Sequence, residues 1–410
     1  MSKPLWKLMT IPAALLISAS GSVALAPYAE ADTRAATPAS VGANSAASAP
    51  TARTGVKCPR ITKKQIKILK KRAKKSKKAR KRLRLIKRCK AQAAAAQAAG
   101  AQVASISATS QKAGSPTVFG LSANSVAAFT AAENAIGVKA GVVGVFTDWK
   151  TSFPTWAAKD AALRGAALLI SWEPQDALQP DRINQPAYRL DNITRGDHDA
   201  FIRQFARDAA ATGRPVIVRW AAEMNGDWHP WSTGRNGNGD GDYVAAYRHV
   251  VDVARSAGGA NIKWMFNPNV SYPGSYPMNK LYPGSSYVDW AGLDGYNFGN
   301  LNAGGWQSYS TVYNRGLAEI KTVAGNKPLA ITEIGCNPGT PENKAAWIID
   351  AFERSRLAGV KMFVWFEHNK ETDWRLSSNS TVVAAAHRAA TMPGWIGGRD
   401  FAAVRAALFL

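Results

Sequence analysis

From Thr117 onward the chain alternates eight times between a short apolar, β-branched run and a stretch with helical periodicity. The runs are TVFGLSA (117–123), AGVVGVFTDW (140–149), AALLISWEP (166–174), PVIVRWAAE (215–223), IKWMFNPNV (262–270), VDWAGLDGYN (288–297), PLAITEIGC (328–336) and VKMFVWFEHN (360–369). Strands covered on both faces read as continuous apolar runs of this kind. Between them lie amphipathic segments such as HDAFIRQFARDAAATG, DYVAAYRHVVDVARSAG and ENKAAWIIDAFERSRLAG, whose closing glycines at 213, 258 and 359 suit helix C-termini. Eight strand–helix units over about 290 residues predict an α/β fold, a (β/α)8 TIM barrel spanning 116–410. An open doubly wound sheet is the competing arrangement, but no glycine-rich phosphate loop follows the first strand.

The 115 residues before the barrel have a different texture. Lys3 and Lys7 precede LMTIPAALLISASGSVALA, and AEA at 29–31 offers a small-residue cleavage site, the build of a signal peptide over 1–31. An exported, secreted chain is therefore expected, with association at the cell surface as a further expectation. Residues 32–56 and 91–115 have linker composition. Between them, residues 57–90 hold 19 Lys and Arg and no acidic residue, out of a formal net charge of +24 for the whole chain. Helical spacing of Ile66, Leu69 and Ala73, then of Ala79, Leu83 and Ile86, predicts a polybasic hairpin turning near Ser76. In an oxidising exterior, a Cys58–Cys89 disulfide would clip its open end. An anionic cell-wall polymer, acidic polysaccharide or membrane surface is the partner expected for this charge density, with a solvated tail as the alternative. No nucleic acid is expected, because the segment lacks interleaved aromatics.

In a barrel of this kind, ligands meet the C-terminal ends of the strands. Those ends carry Asp148-Trp149, Trp172-Glu173, Glu223, Asn267, Asp294 with Tyr296, Glu333, and Trp365 with Glu367. Indoles stack on the C–H faces of sugars while carboxylates and amides bond hydroxyls, so the rim suits carbohydrate. Glu223 after strand four and Glu333 after strand seven form the carboxylate pair that glycoside hydrolysis requires. In a retaining enzyme the two stand about 5–5.5 Å apart. NGNGDGD at 236–242 matches only the first half of a calcium loop, since Tyr247 stands where a bidentate Glu is needed; no metal is expected. Cys336, with no obvious His partner, reads as a buried, inert thiol.

The segments EMNGDW (223–228), LDGYN (293–297) and TEIG (332–335) resemble glycoside hydrolase family 26 over about 116–390. That family groups retaining barrel enzymes with glutamates on strands four and seven, among them endo-β-mannanases and some β-1,3-1,4-glucanases. The resemblance implies Glu223 as acid/base and Glu333 as nucleophile, with no cofactor. It also implies a substrate-binding set of Arg219, Asn225, Trp228, Asp294, Tyr296, Trp365 and Trp172. Tyr296 resembles the tyrosine that bonds the nucleophile, and Arg219 stands where it can hold a carboxylate. One position departs from the pattern: the family commonly has His directly before the acid/base, where this chain has Ala222. Trp172, Glu173 and His198 are the neighbours available to replace that contact. The expected function is a retaining endo-β-glycanase acting on β-mannan or mixed-linkage β-glucan. A catalytically inactive polysaccharide-binding or wall-organising protein on the same barrel is the alternative.

Overall fold

A computed structural model describes residues 116–409 together with Ser76. The expected signal peptide, both linkers, the expected polybasic hairpin apart from Ser76, and the Cys58–Cys89 pairing lie outside the described residues.

All eight predicted runs are strands: β1 (Thr117–Ser122), β2 (Val142–Asp148), β3 (Ala167–Glu173), β4 (Val216–Trp220), β5 (Ile262–Phe266), β6 (Trp290–Asn297), β7 (Leu329–Cys336) and β8 (Val360–Phe366). Each pairs in parallel with its sequence neighbours. β1 closes the ring by pairing with both β2 and β8. A two-residue β9 (Trp395–Ile396) adds to β1. Helices α1 (Val126–Ile136), α2 (Thr155–Arg164), α3 (Leu190–Arg195), α4 (Asp199–Ala211), α5 (Asp242–Ser256), α6 (Met278–Leu281), α7 (Tyr309–Ala324), α8 (Pro341–Leu357) and α9 (Ser380–Ala390) fill the connections. The last helix, α10 (Phe401–Phe409), packs Val404 and Leu408 onto the lower barrel core. Local chemistry sets the helix ends: Ser125, Ser308 and Thr340 accept a backbone N–H as N-caps of α1, α7 and α8, and Pro341 opens α8.

Side-chain alternation along each strand divides the core into two layers. Val118, Leu169, Ile217, Met265, Trp290, Ala330, Met362 and Val364 fill the barrel interior. Their sequence neighbours, such as Ile170, Trp172, Val218, Trp220, Phe363 and Trp365, pack in the larger cluster shared with the helices. This parity decides which residues near a strand end face the site.

β4 is shorter than its apolar run. It stops at Trp220, and Glu223 lies in the turn beyond, not on the strand. Ala221 and Glu223 both adopt positive φ, 49° and 55°. A side chain in that region costs about 1–2 kcal/mol. The turn is held by two bonds, Ala221 N–H to Trp172 O at 3.0 Å and Glu223 N–H to Asn267 O at 2.8 Å. Such strain is found where surrounding structure fixes a functional side chain.

Candidate active site

Above the apolar interior, the inward positions turn polar. Ser171 (β3), Arg219 (β4), Asn267 after β5, Asp294 (β6) and Thr332 (β7) form one buried hydrogen-bonded layer. Arg219, only 2 % exposed, donates from Nε to Ser171 Oγ and from Nη1 to Asp294 Oδ2, each at 2.5 Å, and from Nη2 to Glu333 Oε1. Asn267 Nδ2 bonds Asp294 Oδ2 at 2.7 Å, and the Thr332 hydroxyl reaches both Asn267 Oδ1 and Asp294 Oδ1, between which it shares its one proton. Gly292 makes room for this layer, since a Cβ there would lie 1.9 Å from Asn267 Oδ1. Burial is the main cause that raises the Asp294 carboxyl, to about 6, with Glu223 adding to it; Arg219, Asn267 and Thr332 pull the other way.

Glu333 reaches the site through a break in register. β7 shifts against β8 between Ile331 and Ile334. Bulges re-aim side chains in this way, so Thr332 and Glu333, consecutive residues, both meet Arg219. Tyr313 OH bonds the carbonyls of Gly295 (2.7 Å) and Glu333 (3.1 Å), pinning the irregularity. Both Glu333 oxygens carry a donor, Arg219 on one and Tyr296 OH on the other at 2.6 Å. Burial first, then the charges of Glu223 and Asp294, push the Tyr296 phenol well above its ordinary value, so it stays a donor.

Glu223 is held differently. Its Oε2 accepts from Trp228 Nε1 at 2.9 Å and its Oε1 from Asn269 Nδ2 at 2.7 Å; His229 Nε2 lies 3.6 Å from Oε2. Burial pushes this carboxyl up. His229, Asn269 and Arg219 outweigh that and hold it below its usual range. The Trp228 ring packs on Tyr272 at 5.8 Å between centroids, and Gly226 allows its close fold-back, because a Cβ there would meet the indole at 2.6 Å.

Several predicted contacts sit elsewhere. Asn225 is fully buried, and its amide pairs with the backbone of Asn269 (Nδ2 to O 2.9 Å, N to Oδ1 2.8 Å). It positions the residue that bonds Glu223 and does not line the cleft. Arg219 and Asp294 likewise spend their polar atoms on the carboxylate network. Trp172 and Trp365 are fully buried with outward parity, so neither faces a sugar. Trp172 stacks on Phe205 of α4 at 3.9 Å, and Trp365 packs against Trp347 of α8 while donating to Trp374 O at 2.9 Å. Trp172→Ala is thus expected to cost about 3–5 kcal/mol of stability in chemical denaturation, with KM for a hydrolysed glycan unchanged.

The residue with inward parity on β8 is Phe366, one position on. It forms an aromatic wall with Tyr296 (5.6 Å), Phe146 (6.0 Å) and His368 (4.1 Å). Counting parity from Val364 identifies Phe366 and from Val142 identifies Phe146; Asn269 and His229 carried no comparable signal. His198, a neighbour considered for the Ala222 gap, instead bonds Ala187 O at 2.9 Å and stacks on Tyr188. Glu173 accepts from Gln175.

The Asn side chains of NGNGDGD are loop staples. Asn236 exchanges two bonds with the Gln185 backbone, and Asn238 bonds Leu190 N–H and Pro230 O. Among the described residues, no group of three His, Cys, Asp or Glu is placed to hold a metal ion. Burial pushes the Cys336 thiol up to about 12, leaving it protonated and unreactive at neutral pH.

A closed parallel barrel carrying one glutamate just past β4 and another on β7, each held by its own donors, has the architecture of a barrel glycoside hydrolase. Residues 187–349 match Glycosyl hydrolase family 26. The match runs from ahead of α3 to α8 and takes in both Glu223 and Glu333. Endoglucanase H of Acetivibrio thermocellus is 37 % identical over 265 residues, covering 62 % of this chain and 28 % of that protein. A mannan endo-1,4-beta-mannosidase of Bacillus subtilis is 23 % identical over 185 residues, covering 44 % and 45 %. The chain thus spans less than half the length of both relatives. Among solved structures, the catalytic domain of the Bacillus sp. JAMB-750 GH26 endo-beta-1,4-mannanase superposes with a TM-score of 0.56 at 20 % identity, covering 74 % of this chain and 92 % of that one. That likeness shows the shared fold.

Proposed function

We propose that this protein is a secreted, retaining endo-β-glycanase that cleaves β-glucan or β-mannan by double displacement. The observation that carries the reading is the different support of the two glutamates. Glu333, held by a cation and a phenol, is suited to attack in its charged form. Glu223 sits among donors on the opposite side of the barrel. In the first step the Glu333 carboxylate bonds to the anomeric carbon as the glycosidic C–O bond breaks, and Glu223 passes its proton to the leaving oxygen. In the second step Glu223 takes a proton from water, the water oxygen bonds to the anomeric carbon, and the ester to Glu333 breaks. Phe366, Phe146 and Trp228 supply apolar faces for the sugar rings.

The name of the Acetivibrio relative supports a glucan, that of the Bacillus relative a mannan, and the two differ in the pyranose this site must accept. The polybasic 57–90 segment would hold the enzyme against an anionic wall polymer or membrane surface through charge. Reducing-sugar release from a panel of β-mannans, mixed-linkage β-glucans and exopolysaccharides tests the activity, and proton NMR of the newly formed anomer tests retention. No release from any of them, equal to that of a Glu333→Ala variant, would leave a polysaccharide-binding protein instead. An inverted first product would refute double displacement.

A further inference from the structure

We propose that His229 is a positioning residue for the reaction, holding Glu223 through its Oε2 and supplying from the β4 loop the positive charge that lets one carboxyl serve as both acid and base. The proposal rests on the reading of Glu223 as acid/base. Double displacement asks opposite things of that carboxyl: protonated in the first step, ionised in the second. Burial alone favours the protonated form and would stall the second step.

His229 is built to correct this. Its ring lies against Trp231 with centroids 4.2 Å apart and planes inclined by 11°. Trp231 is itself buried and anchored by its indole N–H to Ala222 O at 2.8 Å. The stack directs Nε2 to 3.6 Å from Glu223 Oε2. Asp227, two positions before His229 in the chain, is occupied by Arg235 at 2.6 Å. Other groups act on or feel the Glu223 charge: Arg219 from β4, Tyr272 after β5, Asp294 and Tyr296 from β6, and Lys370 after β8. Arg219 is shared with two other carboxylates, Asp294 and Glu333. Among the described residues, His229 is the basic side chain at ion-pair distance from Glu223, a pair that carries opposite charges when the imidazole is protonated.

The test is the pH dependence of the full-length protein and two variants, His229→Asn and His229→Lys. In His229→Asn, Glu223 keeps its proton to higher pH, so the alkaline limb of kcat/KM moves up by about one pH unit, the low end for losing an opposite charge at this range. With an activated aryl glycoside, whose departure needs no acid, the acid limb of kcat moves up as well, because the base form becomes scarcer. His229→Lys keeps the charge and both limbs stay near wild type. Limbs in His229→Asn that coincide with wild type, or His229→Lys shifting as far as His229→Asn, overturn the proposal.

A measurement on the unaltered protein guards against misfolded variants. In a carboxyl-13C NMR titration, with the Glu223 signal assigned by Glu223→Gln, the Glu223 and His229 titrations must be coupled; independent titrations overturn the proposal. Failure of the acid/base reading has its own signature. If Glu223→Ala retains wild-type turnover, that reading falls. If Glu223→Ala is inactive and azide restores turnover of the aryl glycoside, but the His229→Asn limbs stay in place, only the role of His229 falls.

Discussion

Glu333→Ala is expected to lower kcat/KM on the hydrolysed glycan by about 10⁵-fold, the scale seen when the nucleophile of a covalent mechanism is removed. The physical reason lies in what surrounds it. Arg219 and Tyr296 place both Glu333 oxygens, so in the proposed mechanism the attacking charge is oriented before substrate arrives. Alanine leaves those donors without their acceptor but removes no core packing, because Glu333 is partly exposed, at 12 % for its side chain. Folding should therefore persist, and substrate binding should change far less than turnover. Activity is measured as reducing-sugar release and binding by calorimetry with the intact polysaccharide. A variant within tenfold of wild type would mean that Glu333 is not the nucleophile.

Arg219→Met is expected to damage both fold and activity. The guanidinium joins Asp294 and Glu333 and is buried with them. Breaking a buried ion pair from one side costs about 3–5 kcal/mol, because the remaining charge keeps its burial and loses its partner. The loss should depend on pH in a defined direction. Asp294 binds its proton more tightly folded than unfolded, with its carboxyl raised from 3.8 to about 6 even with Arg219 present. A group raised in this way favours the folded state fully at low pH, and the benefit is lost as pH rises through the folded value. Arg219 opposes that rise, so removing it moves the upper edge of the window above about 6. The stability deficit of Arg219→Met should be smallest near the acid end of the window and largest at neutral pH, read as denaturation midpoints across pH. A deficit independent of pH would mean that lost packing, not the unpaired carboxylate, governs the variant.

The residues most and least readable from sequence differ in kind. Glu223, Glu333, Tyr296 and Trp228 stand in short motifs near strand ends, where a barrel presents its chemistry, and the structure joins them in two pairs, Trp228 with Glu223 and Tyr296 with Glu333. Trp172 and Trp365 stand equally near strand ends but point the other way. Parity settles this, because Ser171 and Val364 take the inward positions before them. A tryptophan at a strand end is therefore ambiguous by one residue, and one residue reverses its face. Asn225 shows a different limit. Its amide pairs with the backbone of Asn269, 44 positions away, a contact between the β4 and β5 loops that no local pattern encodes.

What the sequence determined by itself was periodic and local: eight apolar runs, the helices between them with their caps and glycine ends, and hence the barrel and the strand ends where a site must lie. Tertiary structure decided what depends on register and on distant partners. The β7 irregularity turns Thr332 and Glu333 toward the same guanidinium. The positive-φ turn lifts Glu223 off β4, and the stack on Trp231 brings His229 to Glu223. Strand and helix follow from the spacing of side chains along one chain, whereas the ionisation and aim of a buried carboxyl follow from whichever charges and donors the closed barrel brings within a few ångströms of it.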